Sequence, residues 1–156
     1  MKFHELDTPS LLLDHDIFMK NLMFMQDYAD RNHVALRPHT KTHKSPELAK
    51  IQLETGACGI AVAKTGEAEI MAAHGLTDIF IANEVVGDQK LRRIRKLAET
   101  ITIAFGVDCP EHVEAAEKIF ADADKPAEVL IEIEVGENRS GIIEETDFFT
   151  LLDAFK

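Results

Sequence analysis

GIAVAKTGEAEIMAAHGLTDIFIAN, residues 59–83, reads as one complete strand–helix–strand unit. Gly59–Ala63 and Asp78–Asn83 are short apolar runs of Ile, Val, Phe and Ala, the composition and length of buried strands. Between them Thr65 precedes Glu67 and Glu69, acids well placed for a helix N-terminus. The same unit recurs along the chain. Apolar runs at Val34–Lys41, Gly59–Ala63, Asp78–Asn83, Ile101–Val107 and Glu128–Val135 follow one another at a period of roughly 22 residues, each succeeded by a stretch with helical spacing. Ser10–Leu13 reads as a further short strand.

The intervening segments carry helix signals. A first helix is predicted from about Asp16 to Asp30, with Phe18, Leu22, Met25 and Ala29 on one side. Ser45 is placed to cap a helix that begins at Pro46. Asp108-Cys-Pro-Glu111 matches a capping box, and Val113, Ala116, Ile119 and Phe120 follow as an apolar stripe. Thr146 is a candidate cap for a last helix bearing Phe148, Leu151, Leu152 and Phe155. Strand–helix alternation implies parallel strands with right-handed crossovers. Two architectures satisfy it: a TIM-type (β/α)8 barrel and an open doubly wound sheet. No G-x-G-x-x-G follows the first strand, and the steady spacing favours the α/β barrel. A barrel needs eight units in about 250 residues, and five are present. Five alone would leave a long parallel edge. The chain, residues 1–156, is therefore expected to be the N-terminal part of a longer protein, supplying roughly the first five βα units.

Composition bounds the function. A formal net charge of -11 argues against a nucleic-acid partner, because phosphate contacts need a basic surface. No run of 18 apolar residues exists, so no membrane partner is expected. The N-terminus lacks the apolar core of a signal peptide. Cys58 and Cys109 are far apart, without metal or redox spacing, and read as reduced thiols of a cytoplasmic protein. His4, His15, His33, His74 and His112 show no ligand spacing and read as surface or helix-end residues, so no metal ligand is expected in this chain.

Against the acidic background, Arg37-Pro-His-Thr-Lys-Thr-His-Lys44 gathers three basic residues and two histidines, a site for something anionic. If the strand from Val34 continues to Lys41, Arg37, His39 and Lys41 alternate onto one face and point into one cavity from the strand's C-terminal end. A lysine beside other cations has a lowered pKa and can add to a carbonyl. Lys41 meets that description; Lys44, in the turn before Ser45-Pro46, is the rival. In Val129–Val135 the apolar residues alternate with Leu130, Glu132 and Glu134. If the apolar set faces the helices, the two acids point to the other side and need a partner, for which Arg139 is placed; the alternative is a wetted edge strand. Asn83 and Glu84 close a strand at the same end as Lys41, lining the pocket or capping the next segment.

Arg37–Lys44 with Ser45-Pro-Glu-Leu-Ala49 resembles the signature of the pyridoxal-phosphate family of D-threonine aldolases and D-serine dehydratases, fold type III, with the alanine-racemase-type barrel. The resemblance continues through Leu6–Asp14, Gly66–Glu69, Ile81–Val86 and Gly136–Gly141, and so covers essentially the whole chain. It implies a Schiff base of pyridoxal 5'-phosphate on Lys41, with Arg139 at the cofactor's phenolic oxygen and Glu132, seven residues earlier, orienting it. His39 and Asn83 complete the expected cofactor-binding set.

The resemblance further implies a lyase that cleaves D-3-hydroxy amino acids to glycine and an aldehyde. The alternatives are a D-serine dehydratase and a non-catalytic pyridoxal-phosphate carrier on the same barrel. A divalent metal (Mn, Mg or Zn) is expected in the full-length protein, with its ligands in a C-terminal β-domain outside this chain. The phosphate-binding loops also come from later strands, so the chain is expected to be inactive alone. The whole protein is expected to be a homodimer acting on a small D-amino acid.

Overall fold

The computed structural model describes residues 2–155. The chain forms two compact units, Met1–Ala35 and Leu36–Lys156. In the first, a 3-10 turn at Phe3–Glu5 precedes helix α1, His15–Arg31. Asp14 caps α1, its carboxylate accepting from the Ile17 backbone N–H at 3.0 Å. Ser10–Leu13 forms no strand, and Leu11, Leu12 and Leu13 are exposed. A run of three leucines carries hydrophobicity without the alternation that would commit it to one face of a sheet.

The second unit is a parallel sheet with helical crossovers. Its elements are α2 (Pro46–Thr55), β1 (Ile60–Val62), α3 (Thr65–Ala73), β2 (Asp78–Glu84), α4 (Asp88–Ala98), β3 (Thr102–Val107), α5 (Pro110–Phe120), β4 (Glu128–Ile131) and α6 (Glu145–Ala154). The strands are all parallel and lie in the order β1-β2-β3-β4. This order separates the two architectures that the alternation left open. A doubly wound sheet reverses direction at a switch point, whereas right-handed crossovers that always step the same way keep every helix on one face. The sheet is therefore an arc of a TIM-type barrel.

Packing follows from that winding. Ile60, Val62, Ile79, Ile81, Ile103, Phe105 and Val107 are buried against Ala68 and Met71 of α3, Leu91 and Ile94 of α4, Val113, Ala116 and Ile119 of α5 and Leu151 of α6. Each large side chain so buried contributes about 1.5–3 kcal/mol. Along β2, Ile79 and Ile81 are buried while Asp78, Phe80 and Ala82 are only partly covered. The partly covered face is the inner face of the arc. Among the described residues no helix is long and apolar enough to cross a membrane.

The first expected strand shortens to a single bridge, His39 with Ala61. Leu36 and Pro38 still accept from the Cys58 and Ala61 backbone N–H groups, at 2.9 and 2.8 Å. The ladder then stops, because the Thr40 hydroxyl takes the Ala61 carbonyl at 3.2 Å, and Thr40–Thr42 turns into a 3-10 helix. A side chain has occupied the acceptor that the next backbone N–H would have used. Two expected caps also differ. Cys109, not Asp108, is the N-cap of α5 and makes no side-chain cap bond. Glu144, not Thr146, precedes α6. Ser45 does cap α2, accepting from the Leu48 N–H.

Candidate functional site

The turn at Thr40–Thr42 decides where the basic segment goes. Arg37 does not share a face with Lys41. Its guanidinium bonds the Asp78 carboxylate at 2.7 Å, at the N-terminal end of β2, and that partner holds its pKa above the usual value. Asp78 holds Arg37 at the N-terminal end of β2, whereas Lys41 lies in the 3-10 turn that follows the His39–Ala61 bridge. The Arg37–Asp78 pair crosses directly over Gly59: a Cβ there would lie 2.9 Å from both Arg37 Cζ and the Asp78 carbonyl oxygen.

At the C-terminal end, His39 Nδ1 accepts from the Lys41 backbone N–H at 3.2 Å. Burial, and then the Lys41 charge, hold the imidazole below its ordinary pKa despite Glu67. His39 is therefore neutral at pH 7, and its proton sits on Nε2. Lys41 is exposed, and its ammonium has no hydrogen-bond or ion-pair partner among the described residues. Lys44, in a left-handed conformation with φ 51°, reaches Glu67 Oε1 at 3.1 Å. The other Glu67 oxygen accepts from the Ala63 N–H at 2.8 Å. Burial alone would raise the Glu67 carboxyl, whose side chain is 9% exposed, but Ala63 and Lys44 outweigh it and hold it below the usual range.

The acidic side of the site lies where β2, β3 and β4 end. Glu132 follows β4, and its backbone N–H continues the ladder to the Val107 carbonyl at 2.9 Å. Its carboxylate accepts from the Ser140 hydroxyl at 2.6 Å. The bidentate pair expected between Glu132 and Arg139 is absent: Arg139 is exposed, and its backbone N–H goes to Glu134 at 3.0 Å. The turn explains the difference. Gly136 and Asn138 both adopt positive φ and wrap the backbone around the Glu134 carboxylate, which accepts from several of its N–H groups and lies below its usual pKa. That wrapping carries the Arg139 side chain away from Glu132. Gly141 (φ 96°) closes the turn, where a Cβ would meet the Glu134 nitrogen at 2.7 Å.

Glu84 faces Glu132 across the strand ends. Burial, then the Glu132 carboxylate, push its pKa up, with Asp108 adding in the same direction. Protonation of the Glu84 carboxyl relieves the repulsion. Gly106 leaves room for Glu132 on the inner face of β3, since a Cβ there would stand 3.2 Å from Glu132 Oε2. Asn83 is exposed near the end of β2 and makes no side-chain hydrogen bond among the described residues. The structure thus places His39 and Lys41 beside β1 and brings Glu84 and Glu132 together beyond the ends of β2 and β4. Arg139 points out of the second group.

Several interacting residues had no distinct signal. Glu67 was read as a helix N-terminal acid, and its role as the Lys44 partner depends on the left-handed turn. Ser140 sits beside Arg139, which drew the expectation by its charge. His112 is not a free surface residue: its Nδ1 lies 3.0 Å from Asp108 Oδ1. Asp108, Cys109 and His112 form a compact Asp-Cys-x-x-His group at the start of α5, with burial and acidic neighbours pushing the Cys109 thiol up.

Comparison with known proteins places this arrangement. Residues 13–156 match the family described as alanine racemase, N-terminal domain. The chain is 44% identical over 139 residues to a D-threonine aldolase of an Arthrobacter species, covering 89% of this chain and 37% of the relative. It is 34% identical over 137 residues to the D-threo-3-hydroxyaspartate dehydratase of Delftia sp. (strain HT23), covering 88% and 36%. The crystal structure of D-threonine aldolase from Filomicrobium marinum superposes with a TM-score of 0.87 at 39% identity, covering 90% of this chain and 38% of that one. The chain spans a little over a third of the length of the curated relatives it matches. By its motifs, its sheet order and these matches together, the chain belongs to the alanine racemase N-terminal domain family, among the relatives of the D-threonine aldolases and hydroxyaspartate dehydratases.

Proposed function

We propose that the chain works as the N-terminal part of a pyridoxal-phosphate-dependent lyase of D-3-hydroxy amino acids, of the D-threonine aldolase type, with Lys41 as the residue that holds the cofactor. One contrast carries this. Lys44 is committed to Glu67 at 3.1 Å, whereas the Lys41 amine is unpartnered at the C-terminal end of the sheet, where barrel enzymes place their chemistry. An amine that adds to a carbonyl must have its lone pair uncommitted.

The donor set fits pyridoxal phosphate at the lysine end and partly at the arginine end. When bound, the cofactor supplies an aldehyde for Lys41 and a ring that draws electrons from a bond at the amino acid's Cα. Neutral His39 pins the turn that presents Lys41 and keeps a second positive charge away from the amine. Glu132, fixed by Ser140, sets the negative side of the site, with Asn83 near the end of β2, one strand beyond β3. Arg139 enters as the cation on the turn beside Ser140. A divalent metal (Mn, Mg or Zn) belongs to the same proposal, with ligands outside this chain, as does a homodimeric enzyme.

Two measurements test it. The complete protein, incubated with pyridoxal phosphate and reduced with borohydride, should carry the added mass on the peptide containing Lys41, and Lys41→Ala should lose it. A label on Lys44, or none, overturns the assignment. The complete enzyme given D-threonine and D-serine, with and without divalent metal, should release glycine and acetaldehyde from D-threonine. Pyruvate and ammonia from D-serine would make it a dehydratase, and binding without turnover would make it a carrier.

A further inference from the structure

Asp108, Cys109 and His112 lie outside the lysine–glutamate site just described. Asp108 follows β3, Cys109 is the N-cap of α5, and His112 is in the first turn of that helix. One ligand atom from each lies within 4.8 Å of the other two. The His112 and Asp108 side chains are 17% and 23% exposed. The geometry of their contact is unusual for an ion pair. Nδ1 of His112 stands 3.0 Å from Asp108 Oδ1, yet this buried nitrogen has no hydrogen-bond partner among the described residues. A buried imidazole nitrogen without a partner, beside a carboxylate oxygen and a thiol, is free to act as a ligand.

We propose that Asp108, Cys109 and His112 form a binding site for a divalent transition-metal ion, zinc foremost. An oxygen, a sulfur and an imidazole nitrogen are a ligand set that a borderline-soft ion takes and that calcium or magnesium does not. Zinc bonds of about 2.0–2.3 Å at tetrahedral angles put ligand atoms about 3.3–3.6 Å apart. Atoms as far apart as 4.8 Å need to close by about 1.2–1.5 Å, within reach of a rotation of the short Cys109 side chain. Binding forms a Zn–S bond and releases the Cys109 thiol proton to solvent. The neighbouring Asp108 and Glu111, which disfavour a bare thiolate, favour a dication.

The fourth position has a place to come from. A cleft of about 280 Å³ lined by Asp108, Cys109, Gly141, Ile142, Asp147 and Thr150 opens beside the group. A water there, or the Asp147 carboxylate from α6, completes four-coordination. The second Asp108 oxygen accepts from the Gly141 N–H at 3.2 Å. An ion here would therefore stiffen the connection between the start of α5 and the turn that carries Ser140. None of this depends on the lyase assignment.

The test is a cobalt(II) titration of the chelator-treated 156-residue chain. The expected result is tetrahedral d–d absorption with a thiolate-to-cobalt charge-transfer band in the near ultraviolet, saturating at one equivalent. Cys109→Ser should remove the charge-transfer band, and His112→Gln should weaken binding about tenfold or more. Cys58→Ser should change neither. Absence of the bands, or their loss with Cys58→Ser in place of Cys109→Ser, overturns the proposal. If Cys109→Ser does not fold, alkylation of the unmodified chain decides. Zinc should slow modification of Cys109 and not that of exposed Cys58, and equal rates with and without zinc refute the site.

Discussion

Gly59→Ala is the sharpest probe of the sheet's N-terminal end. The new methyl would land on the Arg37 guanidinium and stand 2.9 Å from the Asp78 carbonyl oxygen. Two costs follow. Displacing the guanidinium breaks the 2.7 Å bond to Asp78. A charge-assisted bond is worth about 1.5–3 kcal/mol, but the Arg37 and Asp78 side chains are 31% and 42% exposed. Solvent screening brings its net worth nearer about 1 kcal/mol. The backbone contact is the larger cost, because Asp78 opens a strand paired on both sides and cannot drift outward alone. Overpacking of that kind costs about 1–3 kcal/mol, for a total of about 2–4 kcal/mol. Urea denaturation should show a lower midpoint at unchanged slope. Arg37→Ala alone should cost about 1 kcal/mol, and it should absorb a similar part of the Gly59→Ala effect in the double variant. A Gly59→Ala loss below about 0.5 kcal/mol, or strict additivity with Arg37→Ala, would refute the crossing of Arg37 over Gly59.

Glu84 has a folded pKa raised above its unfolded value. Its stabilising contribution is complete below the unfolded value and is lost as pH rises through the folded one. Glu84→Gln should therefore flatten the decline of stability from mildly acidic to neutral pH in urea melts, and an unchanged profile would count against the raised Glu84 pKa. Glu67 behaves in the opposite sense: its folded pKa is depressed, so its contribution is present above the unfolded value and vanishes as pH falls through the folded one. Glu67→Gln should cost about 1–2 kcal/mol at pH 7 and converge with the parent in acid; a constant difference at all pH values would exclude the ion pair with Lys44.

The barrel was legible in Ile79, Ile81, Ile103, Phe105 and Val107, because buried parallel strands announce themselves as Ile/Val/Phe runs bounded by helix signals. The direction of winding was legible only as a preference, and the strand order settled it. Lys41 was singled out, but by alternation along a strand that stops at His39. What ends that strand is a threonine hydroxyl on the Ala61 carbonyl, a competition between side chain and backbone that no periodicity records. The Glu132–Arg139 pairing failed for a similar reason. Opposite charges seven positions apart suggest a contact, but positive φ at Gly136 and Asn138 decides which side chain arrives, and it is Ser140. Asp108 has a sufficient explanation in sequence as part of a capping box, and His112 as a helix-end residue without ligand spacing, so neither marks the group they form with Cys109.

Strand neighbours that follow chain order have a consequence for how the molecule is made. Among the described residues every ladder joins a strand to the one synthesised just before it. Such a sheet can grow at its newest edge as the chain leaves the ribosome, each crossover helix sealing the segment beneath it. Beyond β4 the same growth has already begun, since Ile142 returns to bridge Ile133 in parallel and seats its backbone between Glu132 and Glu134.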